Sequence, residues 1–205
     1  FLIGVLCIIY TFLGGIEGVV WTDVIQGIML SAAAVLIFVV ICFNVEGGIP
    51  EVFRMSAEAD KFFPVEKLRW SWTESTIPVL VIGFFFAALQ QFTASQDVVQ
   101  RYVVTGSLEE TRKTLVMNAR LVAVIPVCFF AIGAALYAYY SQNPQLVPEG
   151  FNTGGILPFF VVSEMPAGVA GLIIAAIFAA SQSSVSSSLN SISACFTSDI
   201  LIRLR

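Results

Sequence analysis

Seven serines, a glutamine and an asparagine fall within the eleven residues Ser181 to Ser191. They sit inside a run, 165–198, that contains no Asp, Glu, Lys or Arg. At 100° per residue Ala180, Ser183, Ser184 and Ser187 follow the i, i+3, i+4, i+7 pattern and share one helical stripe. Ser186 and Asn190 widen it on one side. Two readings compete for such a stripe. Small residues let helix backbones approach closely in a membrane, and a serine can return its hydroxyl to the carbonyl four residues back without needing a partner. Packing accounts for a few serines, but not for the choice of serine over Ala or Gly seven times. The other reading is a site for a hard monovalent cation. Hydroxyls and backbone carbonyls supply oxygen ligands without a full charge to desolvate, and a broken helix elsewhere commonly adds carbonyls at the bilayer midplane. Sodium fits best, because no titratable group sits among these hydroxyls to serve a proton path.

A second polar residue stands where the membrane tolerates few. Asp23 lies six residues beyond Glu17, which puts it about 9 Å into a helix at about 1.5 Å per residue. A carboxylate inside a span is a functional candidate by default; the alternative is an interfacial acid paired with a basic cytoplasmic loop. Other chemistries are excluded. With no histidine in the chain, a Ser-His dyad and an imidazole relay are absent. Cys7, Cys42, Cys128 and Cys195 lie in or beside apolar runs with no CxxC spacing, so neither a disulfide framework nor a zinc site is indicated. An intramembrane aspartyl protease would need a second membrane Asp and a GxGD box. No enzyme chemistry is expected, and the net charge of −4, spread among loops, carries no nucleic-acid signal.

The elements that must hold these residues are apolar helices. Of 205 residues, 58% are hydrophobic and 12% charged, with a mean hydropathy of +0.89; soluble chains carry about 25% charged residues. Charge is absent from 1–16, 24–45, 75–96, 121–148 and 165–198, and about 20 apolar residues span the hydrocarbon core. The pattern predicts an all-α polytopic membrane protein embedded in the lipid bilayer. Its helices are expected at about 1–13, 17–43, 76–100, 114–141 and 166–204. The first stops at Gly14-Gly15, and Pro126 is an expected kink in the fourth. External loops are expected at 44–75 and 142–165, the former with a surface helix over Glu51–Phe63 and the latter with a half-turn at Ile156–Val162. A cytoplasmic loop is expected at 101–113. Phe1 opens inside an apolar run and Arg205 closes a helix, so the chain reads as one internal transmembrane segment of a larger transporter-sized protein.

Orientation follows from Lys and Arg. With 101–113 inside, that side carries Arg101, Arg112, Lys113, Arg120, Arg203 and Arg205. On the opposite side the 44–75 loop carries Arg54, Lys61, Lys67 and Arg69, diluted by six acids, and 142–165 has no Lys or Arg.

Three stretches, in order, resemble the sodium:solute symporter family. The first is Gly14-Gly15-Ile16-Glu17-Gly18-Val19-Val20-Trp21-Thr22-Asp23-Val24-Ile25-Gln26. The second is Gln100-Arg101-Tyr102 with the small-residue turn and Glu-rich helix start that follow. The third runs from Ser183-Ser184 through Leu189-Asn190-Ser191 to Phe196-Thr197-Ser198-Asp199-Ile200. Together they cover most of the chain. The run Ser186–Ser188 beside Asp23 is most similar to the bacterial sodium/sialic acid branch.

The resemblance implies a LeuT-like fold of two five-helix inverted repeats, of which this chain would hold the last two helices of the first repeat and the first three of the second. It implies a shared sodium site at the Ala180 carbonyl and the Ser183 and Ser184 hydroxyls, completed by carbonyls from a broken helix. It implies a second sodium at Asp23, Ser183, Ser186 and Ser187. Phe84, Ala88 and Gln91 form the face where substrate and gate contacts are expected, and Gln91 stands where sugar-transporting relatives have an aromatic gate, which puts a sugar in doubt. The expected function is sodium-coupled symport of a small organic solute, a sugar acid such as sialic acid, in a bacterial inner membrane by alternating access. Another solute (sugar, amino acid or carboxylate), a cation channel subunit and a membrane scaffold are the alternatives.

Overall fold

The computed structural model describes residues 2–61, 69–71, 74–148 and 150–204, with the side chain of Leu2 left aside. Phe1, the Phe63 end of the expected surface helix, Lys67 and Arg205 lie outside the described residues. Every regular element among those described is helical, as the charge pattern requires. Among the described residues four helices are long and apolar enough to cross a membrane: Ile3–Asn44, Ile77–Ala94, Leu108–Gln142 and Ala167–Leu204.

Helix α1 (Leu2–Asn44) is two limbs broken at Gly15, whose φ of 57° and ψ of −154° are not helical. That region of backbone space is open almost only to glycine. The chain folds back there: a Cβ on Gly18 would stand 3.7 Å from the Tyr10 carbonyl oxygen, whereas eight residues of straight helix span about 12 Å. The two expected helices at 1–13 and 17–43 are these limbs.

A left-handed turn at Gly47 (φ 93°) and Gly48 (φ 62°) leads into α2 (Gly48–Glu58). A Cβ at Gly47 would come within 2.7 Å of the Glu51 Cβ, so glycine is required on two counts. This helix starts three residues before the expected Glu51, because Gly47 and Gly48 permit the turn immediately after Val45. Val52 and Ser56 are buried, and the Ser56 hydroxyl donates to the Ala134 carbonyl at 3.5 Å. On its outer face Arg54 pairs with Glu51 and Glu58, and the hydrogen bond from Arg54 holds the Glu51 carboxyl below its ordinary value.

The expected single helix at 76–100 is instead two. Helix α3 (Ile77–Ala94) ends where Ser95 turns extended (φ −75°, ψ 121°), and α4 (Gln96–Val104) begins at once. The Ser95 hydroxyl donates to the Asp97 carboxylate at 2.5 Å, and such local side-chain bonds compete with continuous helix. The expected loop 101–113 shrinks accordingly to a turn around Gly106 (φ 71°). Arg101 belongs to α4, and Arg112 and Lys113 to α5 (Leu108–Gln142). The reason is a cap. The Ser107 hydroxyl accepts from the Glu110 backbone N–H at 3.2 Å, with Glu109 and Glu110 in the first turn where the helix dipole favours acids. Helix α5 runs through Pro126 as one element.

Single 3₁₀ turns at Pro144–Leu146 and Thr153–Gly155 precede α6 (Ile156–Ser163), close to the expected half-turn. The last expected helix comprises α7 (Ala167–Cys195), a π-helical stretch at Phe196–Leu201 and α8 (Ile202–Leu204). The helical run thus reaches the expected end at Leu204, with regular α-helix interrupted by the π-helical stretch after Cys195.

The chain divides into two compact units: Phe1–Ala59 with Val122–Leu189, and Asp60–Leu121 with Asn190–Arg205. In the first, small residues bring backbones together: Ala33, Ala34, Ala135, Ala138 and Ala176 are all buried beside Ile41, Phe160 and Ile173. Tyr139 meets Phe160 edge to face at 5.2 Å and donates its hydroxyl to Glu164 at 3.0 Å. The second unit carries α3, α4, the start of α5 and the end of the chain.

Candidate functional site

Within the first unit the second limb of α1 presents Asp23 to α7. The Ser183 hydroxyl donates to one carboxylate oxygen at 2.5 Å, and the Ser187 hydroxyl donates to the other at 3.5 Å. These serines are one helical turn apart, so they straddle the acid and each addresses one oxygen.

Four of the other five serines separate from this pair by what their hydroxyls do, while the Ser191 hydroxyl is buried without a hydrogen-bond partner among the described residues. Ser181 donates to the Ile177 carbonyl at 3.1 Å, Ser184 to the Ala180 carbonyl at 3.4 Å, and Ser188 to the Ser184 carbonyl at 2.9 Å. Ser186 is fully buried and donates to the Ser183 carbonyl at 3.0 Å. These four return to their own helix, the arrangement that needs no partner. Only Ser183 and Ser187 of the run reach across to a charge on another element, so packing alone does not describe the stripe.

Ser183 therefore occupies a junction. A hydroxyl has one proton and two lone pairs. With its proton committed to Asp23, its oxygen is left as an acceptor, and a charge-assisted hydrogen bond of this kind increases the negative character of that oxygen. The Ala180 carbonyl lies about one turn before Ser183 on the same stripe, and the Ser184 hydroxyl, next to Ser183, donates to that carbonyl. Ser186 and Ser187 lie on the other side, with Asp23 beside them. Six of the eight expected site residues (Ala180, Ser183, Ser184, Ser186, Ser187 and Asp23) thus belong to one unit. Among the described residues no three Cys, Asp or Glu side chains gather. What is assembled is one carboxylate among neutral oxygens, a donor set suited to a monovalent hard cation and short of charge for a divalent one.

Phe84 and Gln91 belong to the second unit, on α3, both exposed, with Phe84 at 71%. They lie on one face with Ala88, as their spacing requires. Asn190, placed beside the serine stripe by periodicity, donates its amide to Gln100 at 2.9 Å within that same second unit.

Several participants were not legible as such. Cys7 is fully buried and its thiol donates to the Gln182 carbonyl at 3.6 Å, with the Tyr10 hydroxyl directed at its sulfur at 3.6 Å. The first limb of α1 is thereby attached to α7 at the level of the serines. Thr22 turns its hydroxyl back to Gly18 and Val19 at 3.0 and 2.9 Å. Gln26, one turn beyond Asp23 and 8% exposed, is buried in the apolar run. Its i, i+3 spacing from Asp23 was the available signal.

A model of the sodium:solute symporter family matches residues 1–205, the whole chain. The chain belongs to the sodium:solute symporter family. Two bacterial members are similar to it over nearly its whole length. The sodium/sialic acid symporter NanT of Aliivibrio fischeri is 78% identical over 98% of this chain and 40% of its own length. The sodium/sialic acid symporter SiaT of Proteus mirabilis is 71% identical over 99% of this chain and 41% of its own length. A solved structure, the substrate-bound outward-open state of a Na+-coupled sialic acid symporter described as having a novel Na+-site, superposes with a TM-score of 0.95 at 71% identity. It covers 100% of this chain and 42% of that one. The helical, membrane-spanning fold read from the charge gaps is thus the fold of a family member, and the chain spans about two fifths of the length of these relatives.

Proposed function

We propose that this chain is part of a sodium-coupled symporter that imports sialic acid across a bacterial inner membrane by alternating access. The observation that carries the reading is the pairing of Asp23 with Ser183 and Ser187. It collects one negative charge and several neutral oxygens inside a span, where an unpaired charge is costly. The relatives at 78% and 71% identity, named as sodium/sialic acid symporters, support the same reading.

Two sodium positions fit the residues. The outer uses the Ala180 carbonyl with Ser183 and Ser184, completed by carbonyls from outside the chain. The inner uses Asp23 with Ser183, Ser186 and Ser187. No covalent step is involved: the chain binds ions and solute, and the binding energy of each biases which side of the membrane is open. Phe84 and Gln91 are proposed contacts for the solute or its gate. In this reading the α4–α5 turn and the C-terminal end face the cytoplasm, and 142–165 faces outward.

Full-length protein in sealed proteoliposomes tests the reading. Sialic acid should accumulate only with an inward sodium gradient, and sodium should enter faster when sialic acid is present. Sodium flux independent of solute would instead favour a channel, and no flux of either would favour a scaffold.

A further inference from the structure

Asp23 is not the last polar group on the face that α1 turns to α7. Gln26 is 8% exposed, and among the described residues its side-chain oxygen is buried with no hydrogen-bond partner. Buried polar atoms are seldom left this way in a folded protein. The atom is closed off from solvent within the chain, and an ion held among the neighbouring oxygens is a group that would satisfy it.

Its position follows from the register of the two helices. Ala33, Ala34, Ile37 and Ile41, late in α1, share a core with Ile173 and Ala176, early in α7, while Asp23, earlier in α1, meets Ser183 and Ser187, later in α7. The second limb and α7 are therefore antiparallel. Three residues advance about 4.5 Å along α1 and return to nearly the same face. Gln26 accordingly lies level with α7 about three residues before the midpoint of Ser183–Ser187, near Gln182, in the turn that carries Ala180 and Ser183. The Gln182 carbonyl at that level already accepts from Cys7 on the first limb. Gln26 thus stands between the two groups of oxygens, outward of Asp23 and beside the outer set.

An amide oxygen is a neutral hard ligand, of the kind that completes oxygen shells around hard cations. We propose that the side-chain oxygen of Gln26 is a sodium ligand on the path between the Ala180–Ser183–Ser184 oxygens and Asp23. The inference rests on the sodium-symport reading and extends it. Neutral oxygen at this point lets an ion leave one set before it is captured by the charge of the other, whereas a carboxylate here would hold it.

The test uses the full-length protein, with sodium chloride as the probe and choline chloride as the control, at pH 8. Sodium-dependent thermal stabilisation is followed in wild type, Gln26→Leu and Gln26→Glu, together with sialic acid uptake in proteoliposomes. Gln26→Leu should raise the half-saturating sodium concentration about tenfold, equivalent to about 1.4 kcal/mol, and slow uptake. Gln26→Glu keeps an oxygen and adds charge, so it should lower the half-saturating concentration while also slowing uptake by retaining the ion. A purely structural Gln26 predicts wild-type sodium dependence in Gln26→Leu, and that result overturns the inference. If Gln26→Leu does not fold, Gln26→Glu decides alone: a half-saturating concentration equal to or above wild type overturns it. A wild type without any sodium response or uptake would sink the symport reading and this inference together. A responsive wild type with an indifferent Gln26 would sink this inference only.

Discussion

Ser183 donates its proton to Asp23 while its oxygen lies on the stripe of the proposed outer sodium ligands, and this dual position gives the sharpest expectations for single substitutions. Ser183→Ala should weaken sodium at both proposed sites, whereas Ser184→Ala should weaken only the outer one. Ser183→Ala also removes one donor from the half-buried Asp23 carboxylate, which keeps Ser187, a loss of about 1 kcal/mol for a single hydrogen bond. Ser181→Ala and Ser188→Ala remove only hydroxyls that return to their own helix, and should stay within about 0.5 kcal/mol of wild type. Sodium titrations of melting temperature across the four variants check this; equal effects of Ser188→Ala and Ser183→Ala would contradict it. The sequence offered the stripe and Asp23 through spacing and composition. It could not tell which serines turn back to their own carbonyls, because that depends on what stands opposite each one. Gln26 escaped notice for the same reason, since its level against α7 exists only once the two helices are in register.

The limbs of α1 depend on one backbone conformation. Gly15 lies at φ 57° and ψ −154°, with open space around the position of a Cβ. Gly15→Ala should therefore cost about 1–3 kcal/mol from backbone strain alone, without any steric clash. Gly14→Ala, in equally open space and without a positive φ, should be nearly neutral or slightly stabilising through helix propensity. Thermal or chaotrope unfolding in detergent measures both, and equal effects would contradict the account. The charge-free windows and glycine pairs made most helices legible from sequence. The break at Ser95 was not, although Gln90, Gln91, Thr93, Ser95 and Gln96 marked the region as polar, since a polar middle says nothing of where a hydroxyl will find a local carboxylate. The cap at Ser107 was legible in principle: Ser107 with Glu110 has the spacing of a capping box, and it converts half of the expected loop into helix.

At the scale of the whole molecule the chain belongs to a family of sodium symporters and spans about two fifths of its relatives' length, so coupling is a property of the complete protein. Sialic acid is a monoanion at neutral pH. One sodium with one anion moves no net charge, and the membrane potential could not drive the cycle. In the proposed function a second sodium at Asp23 makes each cycle carry one positive charge, worth about 2.3 kcal/mol per 100 mV. At about 1.4 kcal/mol per decade that is about a 40-fold gain in accumulation, before the second ion's own gradient is counted. Asp23→Asn keeps the side chain's size but removes the charge that Ser183 and Ser187 address, and should reduce the sodium Hill coefficient of uptake from near two towards one.

The most direct measurement is the charge moved per sialic acid. Full-length protein in proteoliposomes is clamped at a series of potentials while radiolabelled sialic acid uptake and current are recorded together under an inward sodium gradient. The account predicts one net positive charge per molecule in wild type, and potential-independent, electroneutral uptake in Asp23→Asn. Electroneutral uptake in wild type, or sodium current unaffected by sialic acid, would contradict it.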